Sequence, residues 1–240
     1  MEKVETKINI KPADRILNLP KYIFAQLADM KQQAIKNGVD VIDISIGNPD
    51  GATPDPVVKV AVEAIQNPAN HGYPNFRGKK ELRLAISEWM KKRYHVDIDA
   101  ETEVQTLIGE KEGLANIAMT YTNPGDINII PDPYYPVLCR GTLIAGGTPY
   151  FVNLKEENRF LIDLSDIPVD IAKKAKMFFI NYPNNPTGAV APKSFLNDVV
   201  NFCREYNILL ISDRLSDSIV RMRTHQHFFQ PQGQSKPENP

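Results

Sequence analysis

The sequence predicts an α/β protein, a mostly parallel sheet with helices on both faces, three layers deep (α/β/α). Two observations lead there. Short apolar runs such as Met177-Phe178-Phe179-Ile180 and Ile208-Leu209-Leu210-Ile211 alternate with amphipathic segments of helix length, and parallel strands need crossovers of that kind. Runs that are apolar throughout also fit strands covered on both sides. Proline breaks helix interiors and sheet ladders, so the 19 prolines mark the loops between these elements. No internal repeat interrupts the pattern.

In chain order, a first helix is predicted over residues 21–36. Ile23, Leu27, Met30 and Ala34 recur there at helical spacing, and Asn37-Gly38 supplies a stop. Residues 41–46 alternate like a short strand and run into the turn Gly47-Asn48-Pro49-Asp50-Gly51. Helices follow over 56–66 and 79–94, the second carrying Leu82, Ile86, Trp89 and Met90 on one face. Beyond Asp99 the rhythm is regular: strand 104–108, helix 111–121, strand 127–130, helix 136–143, then strands 149–152 and 177–180. Helix 192–205 and strand 207–211 complete it. The rhythm stops at Asp213, and residues 214–240 carry no sustained amphipathic period. From Gln230 onward the composition suits a disordered tail.

Composition narrows the function classes. Lys+Arg 28 against Asp+Glu 29 gives a net charge of -1, which builds in no general attraction to nucleic acid or an anionic membrane. The apolar runs are strand-sized, so no bilayer span is expected. The first residues, MEKVETKINIKPADR, lack the apolar core of a secretory signal. Two cysteines, Cys139 and Cys203, do not make a disulfide framework and fit a reducing, cytoplasmic setting. His225 and His227 lack further ligands, so no metal site is expected.

Open parallel sheets bind ligands at the carboxyl ends of their strands, so the residues after each strand matter most. After 104–108 comes Gly109-Glu110-Lys111-Glu112-Gly113 opening a helix. Free N–H groups there suit a phosphate, and Lys111 adds a positive charge; the glycines alone also suit any tight turn. After 127–130, Pro131-Asp132-Pro133-Tyr134-Tyr135-Pro136 holds two aromatics in a stiff loop, where one ring could stack on a planar ligand or cap the core. After 177–180, Asn181-Tyr182-Pro183-Asn184-Asn185-Pro186-Thr187-Gly188 is the most specific string in the chain. An Asn amide can donate to a phenolate oxygen, and a cis peptide before the following proline would fix its direction. After 207–211, Asp213 could face a cationic ring nitrogen or cap the next helix. A phosphate cradle, a stacking ring, an oxygen donor and a counter-charge are the requirements of pyridoxal 5'-phosphate, whose ring acts as an electron sink.

At these residues the chain resembles the class I/II aminotransferases of the fold-type I pyridoxal-phosphate superfamily. NYPNNPTGA matches the family's N-P-x-N-P-T-G signature. IGNPDG, HGYPNFRG, NPGDINIIPDPYYP and GTLIAGGTPYF are especially similar to the LL-diaminopimelate aminotransferase branch. The resemblance runs from about Lys11 to Asp213, roughly the first half of a full-length member. It implies a transaminase that moves an amino group from an amino acid to a 2-oxo acid. It also implies Glu110 and Lys111 at the cofactor phosphate, Tyr135 stacked on the ring, Asn185 at the ring oxygen and Asp213 at the ring nitrogen. Tyr73 would reach the phosphate in the other subunit of a homodimer. Gly47 and Asn185 would line the substrate pocket. Residues 1–45 correspond to the start of a small domain, residues 46–213 to an incomplete cofactor-binding large domain, and residues 214–240 to a divergent tail.

Three positions depart from the family. Glu110 stands where this branch has a small hydroxyl residue, and a carboxylate beside a phosphate is unfavourable unless it turns away. Ser216 replaces a tyrosine expected three residues after the aspartate. The Schiff-base lysine is not matched: the one lysine after Asp213 is Lys236, in a Gln-Ser-Lys-Pro context unlike the family turn. No catalytic residue is therefore assigned, and this chain is expected to be inactive. The segment after Asp213 is expected to be a frame-shifted or alternatively spliced end. In the family, strand 104–108 joins the sheet through two later strands without match here, which leaves it no neighbour. The competing readings are a pyridoxal-phosphate lyase or synthase on the same scaffold, and a non-catalytic fragment that binds cofactor or heterodimerises. A nicotinamide dehydrogenase is disfavoured because no G-x-G-x-x-G follows a strand.

Overall fold

The computed structural model describes residues 10–45, 47 and 51–214. Their contacts gather into two units: residues 21–106, and the residues up to 20 together with those from 107 onward. Ser216, His225, His227 and Lys236 lie outside the described residues.

A short helix, α1 (Asp14–Leu17), precedes the first unit in the chain. The unit of residues 21–106 is helical: α2 (Ile23–Lys36), α3 (Asp55–Gln66) and α4 (Lys80–Tyr94), each within two residues of its predicted bounds. α2 stops where Asn37-Gly38 requires, with Gly38 at φ +80 and the Val39 N–H returning to the Ala34 carbonyl at 3.1 Å. α4 carries Arg83, 5% exposed. Its guanidinium donates to the Gly78 carbonyl at 2.8 Å, to Ala100 at 3.0 Å and to both Glu101 oxygens at 3.1 Å. One buried cation thereby closes the loop that contains Tyr73 onto the segment after α4.

Residues 41–45 form no strand, contrary to their alternating pattern. Alternation marks a two-faced segment, but a strand also needs a partner ladder, and Ile42 and Ile44 stand exposed. Residues 104–108 likewise form no strand. Their run has no neighbouring strand among the described residues, and Ile108 is exposed.

The other unit holds the sheet. α5 (Glu110–Tyr121) leads into β1 (Ile127–Asp132), and α6 (Pro136–Ile144) crosses to β2 (Thr148–Asn153). A connection containing the short α7 (Val169–Ala172) reaches β3 (Ala175–Asn181), and α8 (Lys193–Tyr206) crosses to β4 (Leu209–Asp213). The strands are parallel in the order β2-β1-β3-β4. Alternate side chains divide the core between the two faces. Ile129, Phe178 and Ile180 pack with Leu196, Val199 and Cys203 of α8. Ile130, Met177 and Phe179 pack with Leu114 and Ala118 of α5 and Val137 and Leu138 of α6. The predicted α/β fold with helices on both faces is the observed one. Because every strand runs the same way, all four carboxyl ends lie along one edge.

Candidate functional site at the carboxyl edge of the sheet

Asp213 ends β4 with its side chain buried, 7% exposed. Register sets it beside Asn181, the last residue of β3. The Asn181 amide donates to the Asp213 carbonyl at 3.0 Å, and its oxygen accepts the Asn185 N–H at 2.6 Å. Asn181 thus ties the strand end that carries Asp213 to the loop that carries Asn185. The sequence reading named Asn185 and passed over Asn181. The available signal was an asparagine closing an apolar strand, where an amide must find partners.

The loop after β3 is held from within. Asn184, buried, donates to the Asn181 carbonyl at 3.2 Å and accepts from the Thr187 hydroxyl at 2.7 Å and N–H at 3.1 Å. The Gly188 N–H closes onto the Asn184 carbonyl at 2.8 Å. These bonds explain why the string needs both Asn184 and Thr187. The Asn185–Pro186 peptide is cis, as that string predicted, and the Asn185 side chain is exposed. Tyr182 anchors the loop to the core: its hydroxyl accepts from the Ile162 N–H and donates to the Phe160 carbonyl, both at 3.1 Å. Burial pushes its phenol up to about 12, so it stays neutral.

The two aromatics after β1 divide their duties. Tyr134 stacks on Phe151 of β2 at 5.0 Å, and burial, helped by its contact with Cys139, pushes its hydroxyl up to about 12. That ring belongs to the core. Tyr135 caps α6 and lies 6.0 Å from the Lys111 ammonium. Lys111 stands in the first turn of α5, which Gly109 enters at φ +85 and ψ 147, a conformation that essentially glycine alone tolerates. The Glu112 carboxylate turns back to accept the Ile108 N–H at 2.6 Å. The Glu110 carboxyl points elsewhere: it is hydrogen-bonded to the Asp213 side chain and accepts the Arg214 N–H. Burial, then the Asp213 charge, raises Glu110 to about 7.

Of the residues singled out from sequence, the structure brings Glu110 to Asp213, Lys111 to Tyr135, and the Asn185 backbone to Asp213 through Asn181. Tyr73 and Gly47 belong to the unit of residues 21–106, Tyr73 fully exposed. A cavity of about 360 Å³ lined by Val200, Cys203, Arg204, Asn207, Ile208 and Leu210 opens at the start of β4, away from this edge. Among the described residues no helix is long and apolar enough to cross a membrane.

Residues 39–216 match the family described as aminotransferase class I and II. The chain is 52% identical over 207 residues to an LL-diaminopimelate aminotransferase of Aquifex aeolicus, covering 86% of this chain and 54% of that protein. A namesake from Halothermothrix orenii is 49% identical over 201 residues, covering 84% and 52%. The structure of BacF from Bacillus subtilis superimposes with a TM-score of 0.79 at 40% identity, over 86% of this chain and 52% of that one. The chain thus spans about half the length of the curated relatives it matches.

Proposed function

This chain belongs to the class I and II aminotransferases, a pyridoxal-phosphate-dependent family, and on that premise we propose that its sheet edge is the cofactor cradle of a transaminase. The observation that carries the proposal is Asp213, a buried carboxyl at a strand end, held through Asn181 to the loop of Asn185. The donor set suits the group. The first turn of α5 with Lys111 matches a phosphate, Tyr135 a planar ring, Asn185 a ring oxygen and Asp213 a ring nitrogen. Glu110 turns from the helix end toward Asp213, which leaves the anion cradle open.

Bound pyridoxal phosphate supplies an electron sink for the bond broken at the substrate's α-carbon. The chain's own residues make that sink effective. The Asp213 carboxylate holds the proton on the ring nitrogen, where burial strengthens the attraction. Asn185 donates its amide N–H to the ring oxygen, and Tyr135 fixes the ring plane. Gly47, with nothing within 4 Å of where a Cβ would stand, would help line the substrate pocket together with Asn185. Tyr73, on the loop closed by Arg83, would reach the phosphate of a second copy in a homodimer. Residues 1–45 would belong to a small domain and residues 46–213 to the large one. The substrate class that the named relatives suggest is a large diamino dicarboxylic acid, with a 2-oxo acid as acceptor.

We further infer that the chain by itself does not complete the reaction. Its one lysine after Asp213, Lys236, lacks the family context, and loss of a positioned proton carrier alone typically forfeits about 10²–10⁴-fold in rate. Titration with pyridoxal 5'-phosphate, borohydride trapping and peptide mapping test both parts. Saturable binding is expected, weakened about tenfold or more in Asp213→Asn, where a charge-assisted contact is lost, with no single lysine trapped. An adduct on one lysine together with turnover would overturn the inactivity. Binding unaffected by Asp213→Asn would overturn the cradle.

A further inference from the structure

The Glu110–Asp213 contact has no part in holding the cofactor, and it occupies the atom the cofactor needs. Glu110 is the first residue of α5, and its carboxyl is hydrogen-bonded to the Asp213 side chain and to the Arg214 N–H. Asp213 cannot swing away, being buried and fixed at its backbone by Asn181. Two carboxylates in hydrogen-bond contact cannot both be ionised, so the pair holds a proton between them. We propose that Glu110 and Asp213 share one proton in the place where a cationic ring nitrogen must sit, so that a pyridoxine-type phosphate reaches Asp213 only by displacing Glu110 and releasing that proton. Glu110 is then a residue that tunes cofactor affinity. The inference rests on the cofactor reading above.

The surrounding charges agree with this assignment. Lys111 lies by the Tyr135 ring and Glu112 is engaged with the Ile108 N–H, so neither first-turn neighbour makes the contact to Asp213. Arg214 contributes its backbone N–H, and the loop after β3 brings only the neutral amides of Asn181 and Asn185. Burial and the Asp213 charge lift Glu110 from its ordinary 4.5 to about 7. The native protein therefore keeps a proton that the unfolded chain gives up. Through this group, stability falls as pH rises from 4.5 to about 7 and is level beyond. Displacing Glu110 restores its ordinary acidity, so ligand affinity rises over the same window.

The test uses the full chain and pyridoxine 5'-phosphate, which has the ring nitrogen and the phosphate but no aldehyde to react with surface lysines. Binding is measured at about pH 5.5 and about pH 8 for wild type, Glu110→Gln and Glu110→Ala. Glutamine donates to Asp213 at every pH, as protonated Glu110 does; alanine leaves Asp213 open. Wild type is expected to match Glu110→Gln at the lower pH and Glu110→Ala at the higher. The wild-type to alanine affinity ratio then shifts roughly tenfold or more, as one linked proton requires. Phosphate ionisation is common to all three proteins and cancels in that ratio. Wild type and Glu110→Ala changing in parallel would overturn the shared proton and leave the cradle standing. Failure of all three proteins to bind would overturn the cradle and this inference together. Thermal midpoints read the pair without ligand: wild type should lose ground to Glu110→Gln between the two pH values, and an unchanged difference would overturn it.

Discussion

At the scale of single residues, the site works because its neutral polar groups have two partners each. Tyr182 shows this: one hydroxyl bridges the Phe160 carbonyl and the Ile162 N–H, under a ring packed edge-on against Phe195 at 5.5 Å. Tyr182→Phe removes both bonds and leaves a buried N–H and a carbonyl unpaired. We expect a loss of about 1–3 kcal/mol in urea unfolding, with the fold retained. A change below about 0.5 kcal/mol would mean that water replaces the hydroxyl. Asn181 follows the same logic between Asp213 and Asn185, and it shows what residue-by-residue reading misses. Asn185 and Asp213 were legible because each follows an apolar run at a strand end. Asn181 became visible only when register set β3 beside β4.

At the scale of elements, strand ends and helix starts are where local sequence commits the backbone. Gly109 sits at φ +85 and ψ 147 before α5, and no side chain obstructs a Cβ there, so the requirement is one of backbone conformation alone. Gly109→Ala should cost about 1–3 kcal/mol and loosen the first turn that presents Lys111. The measurement is chemical unfolding together with amide exchange at Lys111 and Glu112; unchanged protection would show that the turn tolerates alanine. Helix bounds were legible within about two residues because periodicity and stop signals are local. The strands at 41–46 and 104–108 were misread for a physical reason. Helical hydrogen bonds close within the segment, whereas a strand's bonds need a neighbour that its own sequence does not specify. The four strands that do form are those the crossovers place side by side.

At the scale of the whole molecule, the chain carries a parallel four-stranded sheet with its candidate cofactor groups along one edge, in about half the length of its curated relatives. β2 and β4 are the outer strands, and α3 exposes Val57, Val60 and Ile65. Such apolar surface is unusual to leave in water. The fold class and family were legible because strand-end strings such as NYPNNPTGA combine a turn, an internal hydrogen-bond network and a ligand contact in a few residues. The Glu110–Asp213 pair was not, because it joins α5 to β4 across roughly a hundred residues of chain. The central claim, that this edge holds pyridoxal phosphate through Asp213, is tested most directly by a crystal structure of the full chain grown with pyridoxine 5'-phosphate. The account predicts the ring nitrogen within hydrogen-bond distance of the Asp213 carboxylate, the phosphate at the first turn of α5, and Glu110 moved aside. A ligand bound elsewhere, or Glu110 still on Asp213 beside a bound ring, would contradict it.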